Sequence, residues 1–283
     1  DRLRAHVRKL AVEFAPRDYK RVWNLNKCAD YLAAEFKAAG ATVSEQTYEV
    51  KGKTYRNVIA EFGPDSESRI VVGAHYDGCG DTPGADDNAS GVAGLIELAH
   101  LLGDTALHKK VELVAYTLEE PPFFRSTNMG SARHAWRHKQ NGVNVEAMLC
   151  LEMIGYFSDA EGSQRFPNAA LGAFYPSTGN FIGVIGCYGD HGLAKRVKIA
   201  ARGATDLPVH VLRASKDFPM IDFSDHRDYW RHGYDAVMIT DTAFMRNHRY
   251  HGPNDTPDTL DYDRMANVVL GVHSAVVNLA DEG

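Results

Sequence analysis

The sequence predicts an α/β protein: a single domain built on a mostly parallel, mixed central sheet with helices on both faces. Three observations point there. From residue 69 onward, strand-like and helix-like segments alternate, the order from which parallel sheets with crossover helices are built. The segment RIVVGAH (69–75) is a continuous apolar run with β-branched residues, as in a strand covered on both faces. The 283 residues show no break in composition that divides them, and one large domain accommodates that length.

The elements follow in order. NLNKCADYLAAEFKAAGA (24–41) has helical spacing, with Leu32, Phe36 and Ala39 on one stripe and Gly40 as a stop. ATVSEQTYEV and TYRNVIAEF alternate and are separated by KGK, the pattern of a hairpin. The strand 69–75 leads through a loop at 76–88 to a helix in SGVAGLIELAHLL. A strand at 111–117, a helix near 129–139 and a strand at 146–154 come next. Residues 155–180 are rich in Gly, Pro, Ser, Asn and aromatics and read as a loop-rich excursion near the rim of a site. FIGVIG, a helix near 191–202, VHVLRA, a short helix at 225–232, DAVMIT (235–240) and a long amphipathic helix from about 261 to 279 complete the chain.

Composition narrows the function. Hydrophobic residues make up 44% and charged residues 24%, as in an ordinary soluble globule. No apolar run approaches a membrane span. The net charge of -6 and the lack of a basic patch with interleaved aromatics argue against a nucleic-acid partner. Cys28, Cys79, Cys150 and Cys187 form no CxxC pair, which leaves zinc-finger and redox readings unsupported. Cys28 and Cys150 fall in apolar periodic segments and read as buried thiols; Cys79 and Cys187 fall near loops.

Ligands of open α/β sheets bind beyond the carboxyl ends of the strands, and these ends carry acids and histidines. His75 and Asp77 follow the first (GAHYDG), and GADDNASG adds Asp86 and Asp87 before a helix. Glu119 and Glu120 close the next strand, and Glu152 stands in CLEMIG. Asp241, His248, His251, Asp255 and Asp258 follow the last. Singly, each has a plainer reading: DDNAS is a good helix N-cap, and a strand-end histidine is usually a satisfied polar group. Together, so many carboxylates in one crevice repel each other and call for cations. Histidine and carboxylate donors suit zinc, with manganese or cobalt as substitutes. Two such ions about 3.5–4 Å apart can share a carboxylate and clamp a water between them.

These motifs resemble the co-catalytic zinc aminopeptidases of the MH clan, of the bacterial leucyl aminopeptidase type, whose zinc-exopeptidase fold the glutaminyl cyclases share. The strings that carry the resemblance are HYD, GADDNASG, the Glu-Glu pair followed by GSARHA, LEMIGY, SDH, and YH with DTPDTLD. The resemblance implies two zinc ions per chain. His75 and Glu152 would serve one, His251 and Glu120 the other, and Asp87 would bridge them. Asp77 would orient His75, and Glu119 would act as general base. Some relatives carry Asp where Glu152 stands, and some use a tyrosine to steady the oxyanion; Tyr229, Tyr234 and Tyr250 are candidates. Asp225 and His226 match the family string without an assigned role.

The Glu119–Glu120 pair implies a local geometry. Neighbours on a regular strand face opposite ways, so the chain must leave the sheet there for both to point inward. Pro121 and Pro122 stiffen that exit. The expected activity is removal of the N-terminal residue from a peptide or small aminoacyl substrate. The alternatives are a one-zinc glutaminyl-peptide cyclotransferase and a silent binding relative. The resemblance leans toward an exported protein, periplasmic or secreted, since many relatives are exported and the first residue, Asp1, is not Met. Oligomeric state and side-chain preference are not legible in the sequence.

Overall fold

The computed structural model describes residues 1–281. A helix, α1 (Arg2–Arg8), runs into a π-type turn (Lys9–Glu13), and α2 spans Val22–Ala38. The hairpin strands are β1 (Thr42–Val50) and β2 (Lys53–Phe62). Then come β3 (Ser68–His75), α3 (Gly91–Gly103), β4 (Lys110–Tyr116), α4 (Gly130–Gln140) and β5 (Asn144–Leu151). The short α5 (Ala169–Gly172) lies within the 155–180 excursion. β6 (Ile182–Cys187), α6 (Leu193–Ala204), β7 (Val209–Ala214), α7 (His226–Arg231), β8 (Ala236–Thr240) and α8 (Tyr262–Asp281) follow.

The eight strands form one sheet in the order β1-β2-β4-β3-β5-β8-β6-β7. β4-β3-β5-β8 is a parallel block and β6-β7 is a parallel pair. The hairpin joins one edge antiparallel, and β6 runs antiparallel to β8. The fold is therefore the mixed, mainly parallel α/β sheet that the strand–helix alternation predicts.

Core packing explains why these segments become strands. Along β3, Ile70, Val72 and Ala74 enter the core beneath α1, α2, α3 and α8, while Val71 enters a second core beneath α4 and α7. Both faces are covered, so the apolar run is continuous rather than alternating. α2 buries Leu25, Cys28, Leu32 and Phe36, and Gly40, at φ 87°, follows its end.

Two segments depart from the sequence reading. α1 precedes the first expected helix; its buried apolar residues are just Leu3 and Val7, with Leu10 beyond its end, and the polar His6 is buried between them. β5 ends at Leu151, not 154. The apolar run overshoots because Met153 and Ile154 remain fully buried after the chain has left the sheet, with Met153 at φ 51°. Among the described residues no helix is long and apolar enough to cross a membrane.

Candidate metal centre

The carboxyl ends of β3, β4, β5 and β8 meet at one edge of the sheet, and each delivers part of the site. His75 is the last residue of β3. Past β4, Leu118 takes φ 62°, a conformation that side chains seldom adopt. This turn takes the chain off the strand alternation, so Glu119 and Glu120 both lie at the site. Glu152 is the first residue beyond β5. His251, at φ 54°, comes from the loop between β8 and α8. Leu118, Met153 and His251 thus place three of the uncommon positive-φ residues beside the converging side chains.

The seven residues to which the resemblance assigns a role, His75, Asp77, Asp87, Glu119, Glu120, Glu152 and His251, lie together. His75 Nε2 faces Asp87 Oδ1 at 3.4 Å, Glu152 Oε2 at 3.3 Å and Glu119 Oε2 at 3.9 Å. His251 Nε2 faces Asp87 Oδ2 at 3.1 Å and Glu120 Oε2 at 3.1 Å. Asp87 therefore turns one oxygen toward each histidine. His75 Nε2, His251 Nε2 and Glu120 Oε1 are buried atoms without a hydrogen-bond partner among the described residues. Atoms that approach carboxylates closely yet do not pair with them converge on points between the side chains, as ligands of a cation do.

The electrostatics agree. Burial disfavours the charged form of His75, but Glu152 and Glu119 outweigh it and raise its pKa well above the ordinary range. Burial likewise opposes charge on His251, yet Asp87 and Glu120 lift it to about 10. Burial, reinforced by Asp87, raises Glu120 to about 7. Glu119 is raised well above its ordinary value, first by burial and then by Glu152 and Glu120. Burial works to raise Asp87 as well, but the two histidines hold it below the usual carboxylate range. The cluster draws positive charge to itself.

Supporting groups fix these side chains. The Asp77 carboxylate accepts the backbone N–H of Glu119 at 3.2 Å and of Glu120 at 3.1 Å. His75 Nδ1 lies 3.2 Å from the Asp77 carbonyl oxygen and 3.6 Å from its carboxylate, so the backbone of Asp77 is the nearer partner of the imidazole. Asn88 donates to the Leu151 carbonyl at 2.9 Å and accepts the Met153 N–H at 3.0 Å. It thereby ties the Asp87 loop to the turn that carries Glu152.

Sequence reasoning left several functional partners without a role. Asp255 accepts the N–H of Asp86 at 2.9 Å and of Asp87 at 3.1 Å. Ser224 donates to Glu152 Oε2 at 2.6 Å. Asp86 is fully buried and accepts from Asn247 at 2.7 Å and from the Gly155 N–H at 3.0 Å. Asp225, fully buried, is pushed up to about 8, chiefly by burial. Of the other polar candidates after β8, His248 and Asp258 are exposed. Among the candidate tyrosines, Tyr229 bonds Tyr116 and His134, and Tyr234 donates to the Val143 carbonyl. Tyr250 alone of the three reaches the site, stacked on the His251 ring at 3.8 Å. All four cysteines are free; Cys28, Cys150 and Cys187 are buried, and Cys79 is half-buried.

Beside the centre opens a cleft with Glu152 and Tyr250 in its wall. Its remaining wall is largely apolar and includes Phe181, Phe223, Phe244 and Met238, and the 155–180 excursion contributes Phe166 and Tyr175.

Comparison with known proteins agrees with this architecture. The Escherichia coli K12 "Uncharacterized protein YfbL" is 45% identical over 286 residues, which cover 98% of this chain and 88% of that one. Leucine aminopeptidase 1 of Uncinocarpus reesii is 28% identical over 233 residues, 76% of this chain and 53% of that protein. The chain thus spans about half the length of the leucine aminopeptidases it matches. The solved structure of BSAP, a zinc aminopeptidase from Bacillus subtilis, superimposes with a TM-score of 0.78 at 13% identity, over 100% of this chain and 95% of that one. Glutaminyl cyclases are among the structural matches too. At these identities the likeness is one of fold and does not choose between the two activities. The match that decides membership runs along the sequence itself, where residues 57–276 fit the family model of Peptidase family M28; the chain belongs to that family.

Proposed function

We propose that this chain is a dinuclear zinc aminopeptidase that removes the N-terminal residue from peptides. The observation that carries the reading is Asp87, whose two oxygens face His75 Nε2 at 3.4 Å and His251 Nε2 at 3.1 Å. Each histidine also faces an acid of its own, Glu152 or Glu120. Two adjacent nitrogen-and-oxygen triads with a shared carboxylate suit a pair of ions, and the unpartnered atoms His75 Nε2, His251 Nε2 and Glu120 Oε1 fit ligand positions. His75, Asp87 and Glu152 would hold one zinc, and His251, Asp87 and Glu120 the other, with manganese or cobalt as substitutes. Bound there, the ions would acidify a water and polarise the scissile carbonyl.

The chain's own residues supply the rest. Glu119 belongs to neither triad, and its burial keeps its proton affinity high. It is suited to take a proton from the attacking water and return it to the leaving amine. The substrate's free α-amine is cationic and finds Glu119, Glu120 and Glu152 around it, which favours a chain terminus over an internal bond. Tyr250 stays protonated, because burial and then Asp87 and Glu120 raise its pKa. It can donate to the developing oxyanion. The apolar cleft beside Glu152 and Tyr250 receives the N-terminal side chain and favours large apolar or aromatic residues.

The shared Asp87 favours two ions over the single ion of a glutaminyl cyclase. The intact set of acids, histidines and Glu119 speaks against a silent binder. The test is metal content measured together with hydrolysis of leucyl and phenylalanyl amides and cyclisation of an N-terminal glutamine peptide. Expected are two metal ions per chain, hydrolysis, and loss of activity on chelation. One ion with pyroglutamyl product overturns the reading in favour of the cyclase, and metal without either reaction overturns it in favour of a binder.

A further inference from the structure

Arg17 lies between the π-type turn and α2, ahead of residues 57–276 that fit the family model. It is 1% exposed, and among the described residues it makes no ion pair with a carboxylate; its hydrogen bonds go to backbone carbonyls. Nε donates to Tyr76 at 3.0 Å, Nη1 to Leu10 at 2.7 Å and Pro83 at 2.9 Å, and Nη2 to Gly84 at 2.8 Å. The Arg17 carbonyl in turn accepts the Gly78 N–H at 3.1 Å. These contacts grip both ends of the loop between β3 and α3. Tyr76 and Gly78 bracket Asp77 just after His75, and Pro83 and Gly84 lead into Asp87. Gly84 takes φ 58°, and a Cβ there would stand 3.0 Å from Arg17 Nη2, so the missing side chain lets the guanidinium come close.

Buried carbonyls of an irregular loop need donors from outside it, and one side chain supplies them at both ends here. The guanidinium suits the task because its donors are held in a rigid planar fork, whereas an ammonium is a single flexible point. A buried cation is costly to place. Burial lowers the Arg17 pKa, while Asp255, Asp77 and Asp87 act to raise it. Those acids are the two backbone clamps and the carboxylate shared between the histidines, so the charge of Arg17 is balanced from the centre itself. Neighbours of Arg17 reach the same region: Arg21 pairs with Asp81 of the loop at 2.7 Å, and the Tyr19 ring meets Phe123, just past the Glu pair, edge-on at 5.3 Å. We infer that Arg17 is a positioning residue of the metal centre, setting the span of the loop from His75 to Asp87 so that both side chains reach the ions. The inference rests on the dinuclear reading above and extends the centre into a segment outside the family match.

The test uses the full chain, stripped with a chelator, as wild type, Arg17→Met, Arg17→Lys and Val197→Ala. Val197 is buried on α6, which packs on α8 and β7, so its truncation destabilises the fold without touching the loop. Zinc affinity is read by competitive chelator titration at room temperature, and thermal midpoints are recorded beside it. Arg17→Met keeps the length of the side chain and removes its donors. Expected is zinc affinity weakened by about tenfold or more in Arg17→Met, the weight of a group that orients ligands. Arg17→Lys should recover part of the loss, and Val197→Ala should lower the midpoint with affinity unchanged. Wild-type affinity in Arg17→Met, or an equal loss in Val197→Ala, overturns the role of Arg17. Should Arg17→Met fail to fold, Arg17→Lys decides: wild-type affinity there overturns the inference, and a loss that Val197→Ala does not share upholds it. A wild type that binds one zinc ion defeats the dinuclear reading alone, since the affinity ratios still judge Arg17; no zinc bound overturns both.

Discussion

Asp77 and Asp255 perform the same act on opposite sides of the site. Each carboxylate accepts two consecutive backbone N–H groups: Asp77 those of Glu119 and Glu120, Asp255 those of Asp86 and Asp87. An acid placed this way fixes the backbone of an adjacent acidic pair and so fixes where their side chains can reach. The Asp77→Asn and Asp255→Asn variants keep the shape but turn an amide NH2 toward one of the N–H donors. Groups that orient ligands typically cost about 10–100-fold in metal affinity when removed. Both variants should show a loss of that order in competitive chelator titration. Wild-type affinity in Asp255→Asn, whose carboxylate is not itself assigned as a ligand, would show that the backbone clamp is unimportant.

Glu119 and Glu120 are adjacent in sequence and differ in role. Glu120 faces His251 at 3.1 Å, whereas the nearest imidazole nitrogen to Glu119 is 3.9 Å away. Glu119→Gln should retain both metals and KM while kcat falls by about 10²–10⁴, the usual weight of a general base. Glu120→Gln should lose one metal per chain. The reverse pattern in metal content would exchange the two assignments.

How far the site could be read from the sequence follows from the physics of each part. His75, the Glu pair and Glu152 were legible because strand ends are visible in hydrophobic patterning, and ligands gather at the carboxyl ends of parallel strands. His251 was distinguishable from His248 only by resemblance, since both sit in a polar loop; in the fold His251 lies 3.1 Å from Asp87 and Glu120 while His248 is exposed. The clamps by Asp255 and Asn88, and the Ser224 hydrogen bond to Glu152, were not legible. They are side-chain contacts to groups 63 to 169 residues away, and such pairings leave no periodic trace. The end of β5 was misplaced for a related reason: burial continues through Met153 and Ile154 after strand pairing stops.

The cleft next to Glu152 sets a prediction about selectivity. Leu212 lines it from β7 and is only half-buried, so a larger side chain there can fill the cleft without entering the core. Leu212→Trp should depress kcat/KM for phenylalanyl amide by about 10- to 100-fold while alanyl amide changes little, given what one or two methylenes are worth in an apolar pocket. Parallel rate measurements on the two amides give the ratio directly. An equal loss on both substrates would place the N-terminal side chain elsewhere.

His226 sets the last prediction, which concerns stability. It is fully buried at the start of α7, its Nε2 donates to the Ile221 carbonyl at 2.6 Å, and its ring meets Trp230 edge-on at 4.5 Å. Burial lowers its pKa from 6.5 to about 4, although the Ile221 carbonyl and Asp222 pull the other way. Between those values the unfolded chain binds a proton that the folded chain refuses. Stability from this group is therefore complete above about pH 6.5 and is lost as pH falls toward 4. The full excursion is on the order of 3 kcal/mol by linkage. Asp225, Asp241 and Asp255, pushed up to about 8, 7 and 7 mainly by burial, act in the opposite sense, since a folded state that holds extra protons loses stability as pH rises. Their contribution is common to wild type and variant and drops out of the comparison. His226→Gln keeps a donor for Ile221 and does not titrate. Urea midpoints at pH 7 and pH 4.5 should therefore fall less in the variant than in the wild type. Parallel falls would mean that His226 is charged in the folded protein and contributes nothing to the acid limb.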